Sequence, residues 1–311
     1  MGPAELVQAI TVARAYFLAG QSKVDIAAEL GISRYKVARI LDACLAEGIV
    51  RIEISAPDTV NPELSQQLQK RFALKHALVV SSTHTDTPTL RRAVGSAAAA
   101  LLSEIVSEED VLGVAWGRTL DAMAAALTTL ARCPIVQMTG ATGAVNANSI
   151  NLMRRLAEVS GSAVFPIYAP LLVSDEVTVE ALHRQPGIVA ATSRFGQITK
   201  AAVAVGSWDF EGSQLYSAMA KEDLARLRGV PVAAEVCSIL LDEAGTPVDT
   251  EINRRTIAVR AETLRRIPEV IAVAGGESKA GAILAVLRGG LATSLVTDEA
   301  AAGRLLASVD D

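Results

Sequence analysis

The sequence predicts an α/β chain in two parts: an N-terminal helix-turn-helix domain of winged-helix type over residues 1–56, and a doubly wound, mostly parallel α/β domain over residues 57–311. Three observations carry this. The first fifty residues place their apolar side chains at helical spacing and are punctuated by Gly20, Gly31 and Gly48. Beyond residue 57, short and nearly unbroken apolar runs alternate with helical stretches, the rhythm of βαβ units in a sheet covered on both faces. With 311 residues, half of them hydrophobic, the chain can bury a large core and a second, smaller one.

Leu6, Ile10, Val12, Ala13 and Phe17 mark the inner stripe of a first helix of about 14 residues that stops at Gly20. Ser22 caps a second helix with Val24, Ala27 and Leu30 inward, ended by Gly31. Ser33 caps a third, with Val37, Ile40, Leu41 and either Cys44 or Leu45 inward, ended by Gly48. A turn of only about three residues between the second and third helices forces a steep crossing. That crossing needs a small residue at the approach and a left-handed position in the turn; Ala27 and Gly31 supply them, and Val37 and Ile40 fill the gap.

Ser33, Arg34, Tyr35, Lys36 and Arg39 lie on the outward side of the third helix, with no acid before Asp42. Residues 1–55 hold six Lys or Arg and six Asp or Glu, so the positive charge is concentrated on one helix rather than spread over the segment. Long cationic donors near a helix N-terminus suit the base edges and phosphates of double-stranded DNA. The alternative is an ordinary solvated face on a helical unit used for assembly. After Gly48, "IVRIEISAP" alternates apolar and charged residues, a short strand or wing with Arg51 free to meet a phosphate. "APDTVNP" is then a linker, with the boundary near residue 57.

From Pro62, Leu64, Leu68 and Phe72 define an amphipathic helix. The strands follow as "HALVVS", "DVLGVAW", "CPIVQM", "SAVFPIY", "AAVAVGS", "EVIAVAGG" and "TSLVTD". Four of them run into turns of small residues that open a helix or loop: "GVAWGRTLDAM", "VQMTGATGAVNANSINLM", "AVAVGSWD" and "IAVAGGESKAGAILAVL". Free N–H groups at a helix start, facing the carboxyl edge of a parallel sheet, make an anion or polyol pocket. Arg118 there offers a two-pronged contact to phosphate or carboxylate, Thr119 a hydroxyl, and Lys279 a charge in the turn after "GGES". Thr139, Thr142, Asn146 and Asn148 suit sugar hydroxyls; Glu235, Asp249 and Asn253 sit near strand ends, where a ligand role competes with a structural one.

Several chemistries are excluded. Cys44, Cys133 and Cys237 are far apart, without CxxC or Cys/His pairing, and read as buried thiols of a cytoplasmic protein. His76, His84 and His183 share no metal-ligand spacing, so neither metal nor cofactor is expected. No GxSxG, HExxH or P-loop occurs, no lysine lies in residues 135–148 for Schiff-base capture, and "GATGAV" opens no dinucleotide-binding unit. No basic n-region precedes an apolar stretch, and no run approaches the roughly 20 residues that span a bilayer.

Taken together, "DIAAELGISRYKVARILDACLAEGIVRIEI", "GVAWGRTL", "GTPVDTEINRRTI" and "RIPEVIAVAGGESKAGAILAVLRGGLATSLVTDEAAAGRLL" resemble the SorC family of bacterial transcriptional regulators, the sugar-binding, DeoR-type regulators, over nearly the whole chain. The resemblance implies an N-terminal helix-turn-helix domain and an effector domain similar in fold to sugar-phosphate isomerases and deaminases. It implies that such a domain binds a sugar or sugar phosphate without turning it over. It places the effector at Gly117, Arg118 and Thr119, along the loop of Thr139, Gly140, Ala141, Thr142 and Gly143, and at Gly275, Gly276 and Lys279. Where the family has a glycine pair in that loop, this chain has Gly140 and Ala141.

The expected function is therefore a regulator whose affinity for operator DNA is set by a carbohydrate or phosphorylated carbohydrate, working as a homo-oligomer, dimer or tetramer, with paired recognition helices on palindromic half-sites. The contrasting expectation is a sugar-phosphate isomerase or deaminase with an appended helical domain.

Overall fold

The computed structural model describes residues 2–50, 60–81, 87–141, 146–209 and 211–308, with the side chains of 146–150 outside the description. Contacts divide the chain into two compact units, Met1–Ser55 and Ala56–Asp311.

In the first unit, Pro3–Ala13 forms α1 and continues through a widened π turn, Arg14–Leu18, to Gly20 at φ +67°. Lys23–Leu30 is α2 and Arg34–Ala46 is α3. The caps follow the chemistry of their residues. Ser22 Oγ accepts from the amide of Asp25 and Ser33 Oγ from that of Lys36, while Gly31 closes α2 in the left-handed region at φ +63°. Val12, Ile26, Ala27, Val37 and Leu41 make one buried cluster; Ala9, Ala13 and Cys44 make an adjoining one.

Two stripes differ from expectation. Ile26, not Val24, faces inward on α2, and Val24 is 60% exposed. Both fit the apolar spacing around Ala27, and the packing of α2 on α3 selects between them. On α1 the inward face is the small one, Ala9 and Ala13, which lets Cys44 of α3 come close enough for its thiol to meet the carbonyl of Ala9 at 3.5 Å. Leu6 and Ile10 are left about 40% exposed by that rotation. On α3 it is Cys44 that turns inward and Leu45 that stays outside. The predicted wing, the linker and Arg51 lie outside the described residues.

In the second unit, the seven apolar runs become the seven strands of one parallel sheet. They are β1 (Ala77–Val80), β2 (Leu112–Val114), β3 (Ile135–Gln137), β4 (Val164–Phe165), β5 (Lys200–Ala204), β9 (Glu269–Val273) and β10 (Ser294–Asp298). Their order is β1-β10-β9-β5-β2-β3-β4, every pair parallel. The chain winds from β2 through β3 to β4 in one direction, then returns to lay β5 on the other side of β2 and winds outward through β9 and β10. Connections leaving β2 and β5 thus diverge, which opens a crevice at the carboxyl ends of these two central strands.

Strands β2, β3, β9 and β10 are buried along their whole length, because helices cover both faces of the sheet. The helix Thr87–Ile105 packs closely on Arg118–Ala126: a Cβ on Gly95 would lie 2.8 Å from Ala122 Cβ and from the amide of Met123. That approach carries Arg91, one turn earlier, to the crevice. Leu68 is fully buried on the amphipathic helix Pro62–Arg71, with Leu64 and Phe72 partly buried beside it.

Between β5 and β9 the chain makes a small antiparallel sheet the sequence did not announce: β6 (Gly206–Ser207), β7 (Ala234–Val236) and β8 (Ile239–Leu241), in that order. The hairpin joining β7 to β8 is Cys237–Ser238, with φ +50° and +66°. Two consecutive left-handed residues suit a tight hairpin, but glycine or asparagine normally fills them, so no turn signal was visible.

Candidate functional site

The crevice at the switch point collects all four strand-end segments named from sequence. Ala115, Trp116, Gly117, Arg118 and Thr119 come from the end of β2, Thr139 from beyond β3, Ala204 to Gly206 from β5, and Gly275 and Lys279 from beyond β9. Gly117 is extended, and it is glycine for lack of room: a Cβ there would lie 2.6 Å from Ala204 Cβ, between the diverging exits of β2 and β5. It precedes the helix Arg118–Ala126, and as N-cap it offers no side chain, so among the described residues no side-chain cap pairs the first amide N–H groups at the crevice.

Among the described residues, three cations line this space: Arg91, Arg118 and Lys279. Lys279 Nζ donates to the carbonyls of Val205 (2.6 Å) and Gly212 (3.4 Å), and Arg118 donates to the carbonyl of Glu211. Burial, then the charge of Arg118 with Arg91 adding, lowers the Lys279 ammonium to about 8 against the opposing pull of Glu235 and Asp209. Burial and Arg118 likewise lower the pKa of Arg91. The lowering of Lys279 and Arg91 by neighbouring guanidinium charge in a partly desolvated space marks a positive field that an anion would neutralise.

Thr139 and Glu235 add further polar groups to the lining. Thr139 is fully buried, and its hydroxyl has no hydrogen-bond partner among the described residues. Glu235 accepts from the amide of Ser238 at 2.9 Å and from Ser213 Oγ at 3.3 Å, and burial raises its pKa despite those bonds and Lys279. Cys237 lies beside it, its thiol pushed up by burial and then by Glu235, which leaves it protonated and a poor nucleophile.

Other named residues are placed differently. Gly140 and Ala141 do not line the crevice; their amides donate to the carbonyls of Ile257 and Ala169, and a Cβ on Gly140 would come within 2.8 Å of the carbonyls of Ala169 and Pro170. A backbone seam uses the small residues that looked like a ligand loop. Gly276, at φ +105°, donates its amide to Asp298 Oδ1 at 2.6 Å, so it shapes the turn before Lys279. Asp249 stands at the surface, paired with Arg254 at 3.2 Å, because its segment runs beyond β8 away from the crevice. Asn253 is occupied in the capping box of Thr250. Thr142 and Gly143 lie outside the described residues, as do the side chains of Asn146 and Asn148. Sequence reasoning missed Arg91, Trp116 and Gln214, which line the crevice; Arg91 sits in a helical stretch between two strands, where no strand-end signal marks it.

In the first unit, Ser33, Arg34, Tyr35, Lys36 and Arg39 are all exposed. Ser33 spends its hydroxyl on the cap, while Arg34 stacks on Tyr35, 4.9 Å from guanidinium to ring centroid, and donates to its phenol oxygen at 3.0 Å.

A capped three-helix unit with a cationic third helix, joined to a doubly wound domain with a polar crevice at its switch point, defines a class: transcriptional regulators that bind DNA and carry a sugar-binding domain. Residues 59–307 match the family described as "Putative sugar-binding domain". The sorbitol operon regulator of Klebsiella pneumoniae is 28% identical over 310 residues, covering 96% of either chain, and the deoxyribonucleoside regulator of Bacillus subtilis is 28% identical over 303, again 96% of either. The crystal structure of full-length SorC from Klebsiella pneumoniae superposes with a TM-score of 0.74 at 25% identity, covering 97% of this chain and 99% of that one. The chain belongs to this sugar-binding family, the SorC-type regulators. It is a sugar-controlled DNA-binding regulator.

Proposed function

We propose that the effector is a phosphorylated carbohydrate, held in the crevice between β2 and β5, and that the protein does not turn it over. The observation that carries this reading is the meeting of Arg91, Arg118 and Lys279 with the uncapped helix start at Arg118 and the unpartnered Thr139 hydroxyl. The cations and amides receive the phosphate; Thr139 and Glu235 meet hydroxyls. Among the described residues no histidine lines the crevice and the Cys237 thiol is held protonated, which supports binding over nucleophilic catalysis there.

The regulator acts in the cytoplasm as a two-fold homo-oligomer, dimer or tetramer, presenting paired α3 helices to operator half-sites. Arg34, Lys36 and Arg39 contact phosphates and base edges, with Tyr35 steadying Arg34. The effector alters DNA affinity only by the difference in its affinity for two subunit arrangements; a hundredfold change in operator affinity needs roughly 2.7 kcal/mol of that difference.

Fluorescence polarisation on duplexes selected by the full chain from a randomised pool tests the reading. A panel of pentose and hexose phosphates is run beside the parent sugars. At least one phosphate shifts duplex affinity about tenfold or more, and its unphosphorylated parent does not. If only neutral sugars act, or none of the panel acts, the phosphorylated-effector reading fails; if a phosphate is converted, the reading without turnover fails.

A further inference from the structure

The second unit contains another cleft, of about 800 Å³, on the far side of the Cys237–Ser238 turn from the crevice. Cys237 borders both spaces. Ser238 is only 2% exposed, and its hydroxyl has no hydrogen-bond partner among the described residues, although its amide is held by Glu235 and its carbonyl accepts from Asn253 Nδ2 at 3.2 Å. Both backbone groups are thus anchored, and the side chain that remains is a buried donor and acceptor at the cleft wall. A buried polar atom without a partner costs free energy that a ligand hydroxyl would recover. The left-handed backbone of two non-glycine residues adds strain at this same point.

The charges around the cleft differ in kind from those of the crevice. Arg254 is committed to Glu176 at 2.7 Å and Asp249 at 3.2 Å. The remaining lining charges are Glu180 and Glu262 against Arg260 and Arg266, for which no ion pair is found among the described residues. His183, also in the lining, has its pKa lowered by burial and then by Arg260, which keeps the ring neutral near pH 7. With the Arg254 triad included, four acids and three guanidinium groups line the cleft beside a neutral imidazole, a single net negative charge that turns a phosphate away. They offer acceptors and donors together, the set that hydroxyl groups satisfy.

We propose that this cleft is a second binding site, for an uncharged polyhydroxylated ligand, walled off from the anionic crevice by the Cys237–Ser238 turn. The site is separate from the effector reading: it stands or falls on the cleft's own residues.

Saturation-transfer NMR on the full chain tests it, with erythritol, xylitol and sorbitol as neutral probes and ribose 5-phosphate as the anionic one. At least one polyol receives saturation from the protein, and excess ribose 5-phosphate does not displace it. Ser238→Asn keeps a residue that tolerates the left-handed conformation and fills the cleft wall, so it weakens polyol binding about tenfold or more. Ser238→Gly, comfortable at the same φ, removes only the hydroxyl and weakens it by about threefold to tenfold. Lys279→Met leaves polyol binding unchanged. The proposal is overturned if none of the three polyols binds, if binding is indifferent to both Ser238 variants, or if ribose 5-phosphate competes the polyol away. Loss of ribose 5-phosphate binding alone bears on the crevice and leaves this site standing.

Discussion

Raising the pH from 7 to 9 discharges Lys279, and the consequence for an anionic effector follows from where that lysine sits. Burial and the neighbouring guanidinium of Arg118, with Arg91 behind it, hold the ammonium at about 8, while Glu235 and Asp209 pull the other way. An amine with that pKa is charged in about nine chains of ten at pH 7 and about one of ten at pH 9. A phosphate placed beside it favours the charged form, so binding at pH 9 must draw a proton from solution. If only the ammonium form binds, affinity falls about tenfold over the interval, or ~1.4 kcal/mol. The phosphate is not the source, since its second pKa is near 6 and its charge barely changes above pH 7.

Isothermal titration of ribose 5-phosphate, in two buffers of different ionisation enthalpy, reads both quantities. About one proton is taken up per ligand at pH 9 and about a tenth of one at pH 7. Lys279→Arg, charged throughout, flattens the profile. A wild-type affinity constant within about twofold over this range would refute the argument. So would an equal slope in the arginine variant. In the unliganded protein the same depressed pKa makes the charged lysine oppose folding, so stability rises as pH climbs from about 8 towards the unfolded value.

Arg34→Ala and Arg39→Ala each weaken duplex binding and reduce the slope of log affinity against log salt by about one, measured by polarisation across salt concentrations; unchanged affinity would instead indicate an assembly role for α3. Asp110→Asn destabilises the second unit by about 2 kcal/mol at neutral pH in urea unfolding. Burial alone would raise this carboxyl, but hydrogen bonds from Lys200, Ser107 and Thr199 hold it down to about 2. Its contribution is therefore full above about pH 4 and disappears as pH falls through the folded value, where wild type and variant converge. Gly245→Ala is strongly destabilising, by about 2 kcal/mol or more in the same assay. Its φ is +82°, and an added Cβ would overlap the amide of Gly289 and the carbonyl of Ala285.

How far the molecule could be read in advance depended on the range of the interactions involved. Seven apolar runs became seven parallel strands because a strand buried on both faces is apolar at every position, a local signature that survives any neighbour. The caps at Ser22 and Ser33 and the left-handed Gly31 were equally legible, since each satisfies backbone groups within three or four residues. Arg118, Lys279, Thr139 and Glu235 were singled out at strand ends, and the sheet order brings them to one crevice.

What tertiary structure alone decided was which of two locally equivalent choices prevailed. Ile26 rather than Val24 faces inward through the packing of α2 on α3. Gly140 and Ala141, small residues in a promising loop, serve a backbone seam with residues 169–171 and 257, and Asp249 is carried to the surface. Arg91 reaches the crevice only because Gly95 lets two helices touch, and the Cys237–Ser238 hairpin closes without glycine because Glu235 and Asn253 hold its backbone from outside the turn. The sequence by itself determined the elements, through contacts a few residues apart. Their neighbours across the fold determined which side chains share a space, because that depends on strand order and helix approach, which no local pattern encodes.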